Sequence, residues 1–297
     1  MGDVRRLVVA VDGSAASQEA LRWAGALAHR TGAELVAVHA VGLLEVAHDP
    51  ATPPERWRAE LRQRVEGWCH GLPGDGGCRV ELRDGSPLDV VPAVVEEVGA
   101  DLVVVGSRGV GGTPERALGS TSLHLLRTAS VPTLVVPDRP GAPPAGVGEP
   151  VAVRQVLVGV DGSDLSLAAL DLAADLAGLL GAALTVAQVV EPVEAFPLGP
   201  ETAAAAEHEE EAPARAAAAL EPVVAPVRER GLTVQVRTAE GDPAPTLLAM
   251  ADEVGADLVV VGTRGRGGPG ELLLGSVARA VAGAAACPTL VVPARRA

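Results

Sequence analysis

Apolar positions follow two patterns along this chain. Runs such as Leu7-Val8-Val9-Ala10-Val11 and Leu102-Val103-Val104-Val105 are short, continuous and bounded by Asp or Gly. That is how strands buried on both faces read. Other segments carry apolar residues at helical spacing. Leu167, Leu170, Ala174, Ala177 and Leu180 follow Ser163, which sits where a helix N-cap would. Gly32 and Gly181 stop the helices after the first strands, and Trp57, Leu61, Val65 and Trp68 form a further helical stripe. Strands are also predicted at Glu34–Val41, Arg79–Arg83, Leu184–Val190 and Thr233–Thr238. The Ala- and Glu-rich segment before Thr233 contains Pro213, Pro222 and Pro226, which are predicted to break it. Strands that alternate with helices predict a parallel sheet covered on both faces.

The pattern occurs twice. Val8 to Ser14 returns as Leu157 to Ser163, with Asp12 matching Asp161 at an offset of 149. Ala100-Asp101-Leu102-Val103-Val104-Val105-Gly106 returns as Ala256 to Gly262, and Pro132-Thr133-Leu134-Val135-Val136-Pro137 as Pro288 to Pro293, both at an offset of 156. The second copy thus gains seven residues, between its second strand and Gly241, the match of Gly85. The fold class is α/β: two tandem, doubly wound, five-stranded parallel-sheet domains. They span residues 1–138 and 153–297, with a Pro- and Gly-rich linker at 139–152. A length of 297 residues suits two domains with a core each.

Composition narrows the chemistry. A net charge of -14 argues against nucleic acid and anionic membranes as partners. No apolar run approaches the roughly 18 residues of a membrane span, and the polar start does not read as a signal peptide. A cytoplasmic protein is expected. The three cysteines, Cys69, Cys78 and Cys287, suggest neither a disulfide framework nor a metal pair, only thiols in a reducing compartment. The six histidines form no ligand pair, and no metal-binding residues are assigned. Aromatics make up 1% of the chain, so there is no platform for stacking bases.

The candidate chemistry follows the fourth strand of each copy. Gly106-Ser107-Arg108-Gly109, then positions 110–118, then Gly119-Ser120 is matched by Gly262-Thr263-Arg264-Gly265, positions 266–274, and Gly275-Ser276. Glycines let backbone N–H groups approach a phosphate closely. The second glycine opens a helix whose N-terminus presents free N–H groups and about half a positive charge. The chain contains no lysine, which excludes a P-loop. Phosphate must then be held by amides, hydroxyls, a metal ion or arginine: Arg108 and Arg264, with Arg266 in the second copy where the first has Val110. Asp12 and Asp161 end the first strands. They could bind a ribose hydroxyl or a metal bridging to phosphate, or simply cap and turn the chain. Asp101 and Asp257, at the other strand end, read as turn residues.

With these residues the chain resembles the universal stress protein family in its tandem form. The motif G-x2-G-x9-G-[ST] resembles that of its ATP-binding branch. The resemblance implies a pseudo-dimeric pair of domains of the adenine nucleotide alpha hydrolase-like fold. It implies ATP, with Mg2+ as a companion ion, contacted by Gly106, Ser107, Arg108, Gly109, Val110, Gly111, Gly112, Gly119, Ser120 and Thr121. In the second copy it implies Gly262, Thr263, Arg264, Gly265, Arg266, Gly267, Gly268, Gly275, Ser276 and Val277. Ala10 and Asp12, or Gly159 and Asp161, would lie beside the nucleotide, and the backbone near Ala40 and Val189 would recognise adenine. It further implies pairing of the two last strands within the chain, with a homodimer as a further assembly.

No His or Glu repeats beside the glycine loop, so no general base is expected. The leading expectation is a regulatory, stress-response protein that binds up to two adenine nucleotides and is not an efficient enzyme. The alternatives are a slow ATPase or nucleotidyl-transfer enzyme acting at Asp12 and Asp161, or a nucleotide-free dimerisation module. A receiver domain would need a lysine, and a Rossmann dehydrogenase would carry its glycines after the first strand.

Overall fold

The computed structural model describes residues 4–42, 53–73, 77–110, 118–138, 151–191, 203–265 and 274–294. The first half runs β1 (Arg6–Ala10), α1 (Ala15–Thr31), β2 (Glu34–Val41), α2 (Pro54–Cys69), β3 (Cys78–Asp84), α3 (Pro87–Val98), β4 (Leu102–Gly106), α4 (Ser120–Thr128) and β5 (Thr133–Val136). The second repeats it: β6 (Gln155–Gly159), α5 (Asp164–Leu180), β7 (Ala183–Val190), α6 (Ala203–Glu229), β8 (Val234–Glu240), α7 (Pro243–Glu253), β9 (Leu258–Gly262), α8 (Ser276–Ala284) and β10 (Thr289–Val292).

Local sequence explains the helix ends. Ser14 and Ser163 are N-caps whose side chains accept from the backbone N–H of Ser17 and Ser166. Gly32 and Gly181 close α1 and α5 with φ of 70° and 68°, a left-handed conformation that costs glycine nothing. Asp101 does more than turn the chain. Its Oδ2 accepts from the N–H groups of Arg5 at 2.7 Å and Arg6 at 2.9 Å, and so anchors the start of β1. Asp257 repeats this with Arg154 at 2.7 Å and Gln155 at 3.1 Å.

The strands form one ten-stranded sheet in the order β3-β2-β1-β4-β5-β10-β9-β6-β7-β8. Within each half the pairs are parallel. The halves join where β5 and β10 pair antiparallel, with Leu134 opposite Leu290. Alternation along the strands divides the core between the two faces of the sheet. Leu7, Val9, Leu134 and Leu290 share one cluster with α1, α2, α5 and α6. Val8, Val103, Val135 and Val291 share the other with α3, α4, α7 and α8. Both clusters draw residues from both halves, so the core continues across the junction. Of the predicted linker only Val151 and Ala152 are described, and Val151 is buried against the core.

One expectation fails. The segment before β8 is a single helix, α6, that runs through Pro213, Pro222 and Pro226. A proline inside a helix costs about 3 kcal/mol through a lost hydrogen bond and a ring clash. Leu220, Val224 and Val227 form a buried stripe along the same helix. Tertiary burial of that stripe outweighs the local penalty.

Candidate functional site

β1 and β4 lie side by side, but their connections leave toward opposite edges of the sheet: β1 is followed by β2 on one side, β4 by β5 on the other. Open α/β sheets bind ligands at this point, beyond the carboxyl ends of the strands. A cleft of 380 Å³ opens there in the first half. Ala10, Asp12, Ala40, Gly106, Arg108, Gly109, Val110, Gly119, Ser120 and Thr121 all line it. Ser107 is buried just behind, and its Oγ accepts from the N–H of Asp138 at 3.2 Å. Gly111 and Gly112 lie outside the described residues.

Each glycine has its own physical reason. A Cβ at Gly106 would come within 2.8 Å of the Ala16 backbone, so this glycine lets α1 pack close to β4. Gly262 faces Leu165 in the same way, at 3.1 Å. A Cβ on Gly109 would collide with the carboxylate of Asp12, and one on Gly265 with that of Asp161. Gly119 and Gly275 donate to the carbonyls of Ser107 and Thr263, each at 2.7 Å, which ties each helix start to the end of the preceding strand.

Asp12 ties the two loops together. Its Oδ1 accepts from the N–H and hydroxyl of Ser14, at 3.0 and 2.6 Å, and its Oδ2 accepts from the N–H of Val110 at 3.0 Å. Asp161 makes the same pair of bonds to Ser163, at 3.0 and 2.6 Å. Ser17 and Ser166 also belong to this arrangement, although the glycine motif does not reveal them. Their hydroxyls donate to the carbonyls of Ser14 and Ser163 and accept from the N–H groups of Asp12 and Asp161, both at 3.3 Å. The signal is in the sequence: Asp-Gly-Ser-x-x-Ser occurs at 12–17 and again at 161–166.

The helix N-termini differ. α1 and α5 begin under serine side-chain caps, whereas α4 and α8 begin at Gly119 and Gly275 with no side-chain cap. The first N–H groups of α4 therefore stay available at the cleft wall. Arg108 supplies the local cation, 3.6 Å from Asp138.

The second half places its counterparts at the matching ends: Gly159 and Asp161 after β6, Val189 on β7, Gly262, Thr263, Arg264 and Gly265 after β9, and Gly275, Ser276 and Val277 opening α8. Arg266, Gly267 and Gly268 lie outside the described residues. The walls differ by a compensating exchange. Gly159 replaces Ala10, and Leu247 replaces Val91; a Cβ on Gly159 would come within 2.9 Å of the Leu247 side chain.

The duplicated sequence has known relatives. The profile of the universal stress protein family matches residues 3–137 and again residues 152–293. The chain belongs to the universal stress protein family. It carries two of the family's domains in tandem, with the break between them at the Pro- and Gly-rich stretch. A universal stress protein of Mycolicibacterium smegmatis is 33% identical over 305 aligned positions, covering 97% of each chain. One from Mycobacterium tuberculosis is 35% identical over 310 positions, covering 96% of this chain and 95% of the relative. Among solved structures, a universal stress protein of Archaeoglobus fulgidus superimposes with a TM-score of 0.69 over 98% of this chain and 97% of its own, at 20% identity. That likeness shows a shared fold. Among the described residues no helix is long and apolar enough to cross a membrane.

Proposed function

We propose that this universal stress protein binds ATP, or another adenine nucleotide, in each of its two domains and works as a regulatory binder, not an efficient enzyme. The observation that carries the reading is the pair of uncapped helices, α4 and α8, each opened by a glycine beyond a strand-end glycine loop. In the first domain this helix start forms one wall of a cleft whose volume lies in the usual range for small-molecule sites. Uncapped N–H groups and the helix dipole favour an anion. Ser120, Thr121 and Arg108 line the same cleft and bring two hydroxyls and a guanidinium to its vicinity. Ala10, Val38, Ala40 and Val91 give it an apolar side against which an adenine and ribose can pack. A Cβ on Gly109 would collide with the Asp12 carboxylate and one on Gly119 would crowd the Ser107 carbonyl, so both positions keep bare backbone beside the cleft.

Asp12 is the one carboxylate among the described residues lining this cleft, and loop donors already engage both of its oxygens. That favours a positioning role over a general base. Among the described residues there is no cluster of three or more His, Cys, Asp or Glu that could hold a metal. A Mg2+ ion would therefore arrive with the phosphates, keeping its waters. The last strands are already paired within the chain, so a homodimer would use another surface.

ATP at about 100 times its dissociation constant should add about 2.7 kcal/mol of stability per site, because it binds only the folded chain. A thermal-shift titration reads this directly. A melting temperature unmoved by millimolar ATP, ADP and AMP contradicts the proposal. Nucleotide recovered intact after hours with purified protein supports a binder, whereas steady release of phosphate favours a slow ATPase.

A further inference from the structure

The two copies match closely around the glycine loop, but they part just beyond the last strand of each. Pro137-Asp138 follows β5, and Pro293-Ala294 follows β10 at the same repeat offset of 156. The first copy thus carries a carboxylate where the second carries a methyl group. That carboxylate is held in place. The N–H of Asp138 donates to Ser107 Oγ at 3.2 Å. Ser107 is itself buried, and its N–H donates to the Val136 carbonyl at 2.6 Å. Asp138 is therefore tied to the residue next to Arg108. Its Oδ2 lies 3.6 Å from Nη2 of Arg108, which lines the cleft. The Arg108 and Asp138 side chains keep only 24% and 33% of their surface exposed, so solvent and salt screen this pair less than a fully exposed one.

We infer, resting on the nucleotide binding proposed above, that Asp138 is a specificity-determining residue: it sets the first site against highly charged phosphate chains, and Ala294 leaves the second site without that restraint. A guanidinium that already faces a carboxylate offers less to an incoming phosphate. The anion must share the cation or displace the aspartate from it. The carboxylate also repels whatever anion the guanidinium reaches, because the two groups are in contact. That repulsion grows with the charge of the phosphate chain, from AMP through ADP to ATP. Asp138 thus costs ATP more than it costs AMP.

The surrounding groups are otherwise matched. Asp12 and Asp161 make the same two bonds to Ser14 and Ser163, so these carboxylates do not distinguish the sites. Arg264 stands at the match of Arg108, and Thr263 at the match of Ser107. The Thr263 N–H donates to the Val292 carbonyl at 2.9 Å, as Ser107 does to Val136. The backbone that carries Asp138 to Arg108 is therefore repeated in the second domain, and the exchange of aspartate for alanine changes the charge upon it.

The test uses the full-length chain with one site left open at a time. Gly275→Glu keeps the first site and Gly119→Glu keeps the second. Each is titrated calorimetrically with AMP, ADP and ATP at low salt. Asp138→Asn, added to Gly275→Glu, keeps the size and the backbone donor and removes the charge. ATP binding should tighten about two- to fivefold, the scale of a partly exposed ion pair. ADP should gain less and AMP least, and the gain should shrink at high salt. Ala294→Asp, added to Gly119→Glu, should weaken ATP binding by a similar factor, whereas Ala294→Asn should not. Both positions are partly exposed beyond strand ends, and melting temperatures without nucleotide check that the fold is kept. An ATP affinity that Asp138→Asn leaves unchanged or weakens, or an equal gain for all three nucleotides, would overturn the inference and leave the nucleotide reading standing. Nucleotide bound by neither single-site protein, or two bound by either, would overturn both.

Discussion

Gly119→Glu should remove nucleotide from the first domain and leave the second filled. The α4 N-terminus is uncapped, and a side chain at Gly119 would start 3.3 Å from the Ser107 carbonyl. A glutamate there is directed among the very N–H groups proposed to hold phosphate, and it repels the phosphate as well. Each hydrogen bond to a charged group is worth about 1.5–3 kcal/mol, so the loss of two weakens binding by about 100-fold or more. Gly275→Glu should do the same in the second domain, where the Cβ would meet the Thr263 carbonyl at 3.0 Å. The fold should survive, because an acidic side chain at a helix N-terminus stabilises the helix. Isothermal titration of the two single variants and the double variant should give one, one and no sites. A double variant that still binds two nucleotides would show that phosphate sits elsewhere.

The second large effect concerns the junction. Leu134 and Leu290 face each other across the antiparallel β5–β10 pair, and both are buried in the same cluster. Leu134→Ala and Leu290→Ala should each cost about 2–5 kcal/mol through lost burial and the cavity left behind. Because the two are directly opposed cross-strand partners in one cluster, the double variant should depart from additivity by about 0.5–3 kcal/mol. Urea unfolding should show a single transition for the wild type, since the sheet and both core clusters span the two halves. Strict additivity together with two separate transitions would mean that the domains fold independently.

Much of this was readable from the chain because local chemistry decided it. Glu34–Val41 is a strand in the structure as its apolar run predicts, and Ser14, Ser163, Gly32 and Gly181 cap helices because their side chains or their lack of one suit those backbone positions. The glycine spacing located the cleft of the first domain, since strand-end glycines and a helix start converge wherever a parallel sheet reverses its strand order. Features that depend on long-range contact were hidden. The prolines of α6 yield to a buried stripe, which no local preference reveals. Asp12 was read as a ligand to ribose or metal, or as a cap or turn residue; that its carboxylate also accepts from Val110, 98 residues away, could not be read from the chain. A single sequence carries the types of such residues and not their partners.

With an anion cradle proposed in each domain, counting bound nucleotide is the most direct test. Purified protein would be equilibrated with saturating ATP, freed of unbound nucleotide by rapid gel filtration, and heat-denatured, and the released adenine nucleotide would be measured against protein. Close to two per chain is predicted, falling to one in either glycine variant. No nucleotide in the wild type would contradict the account.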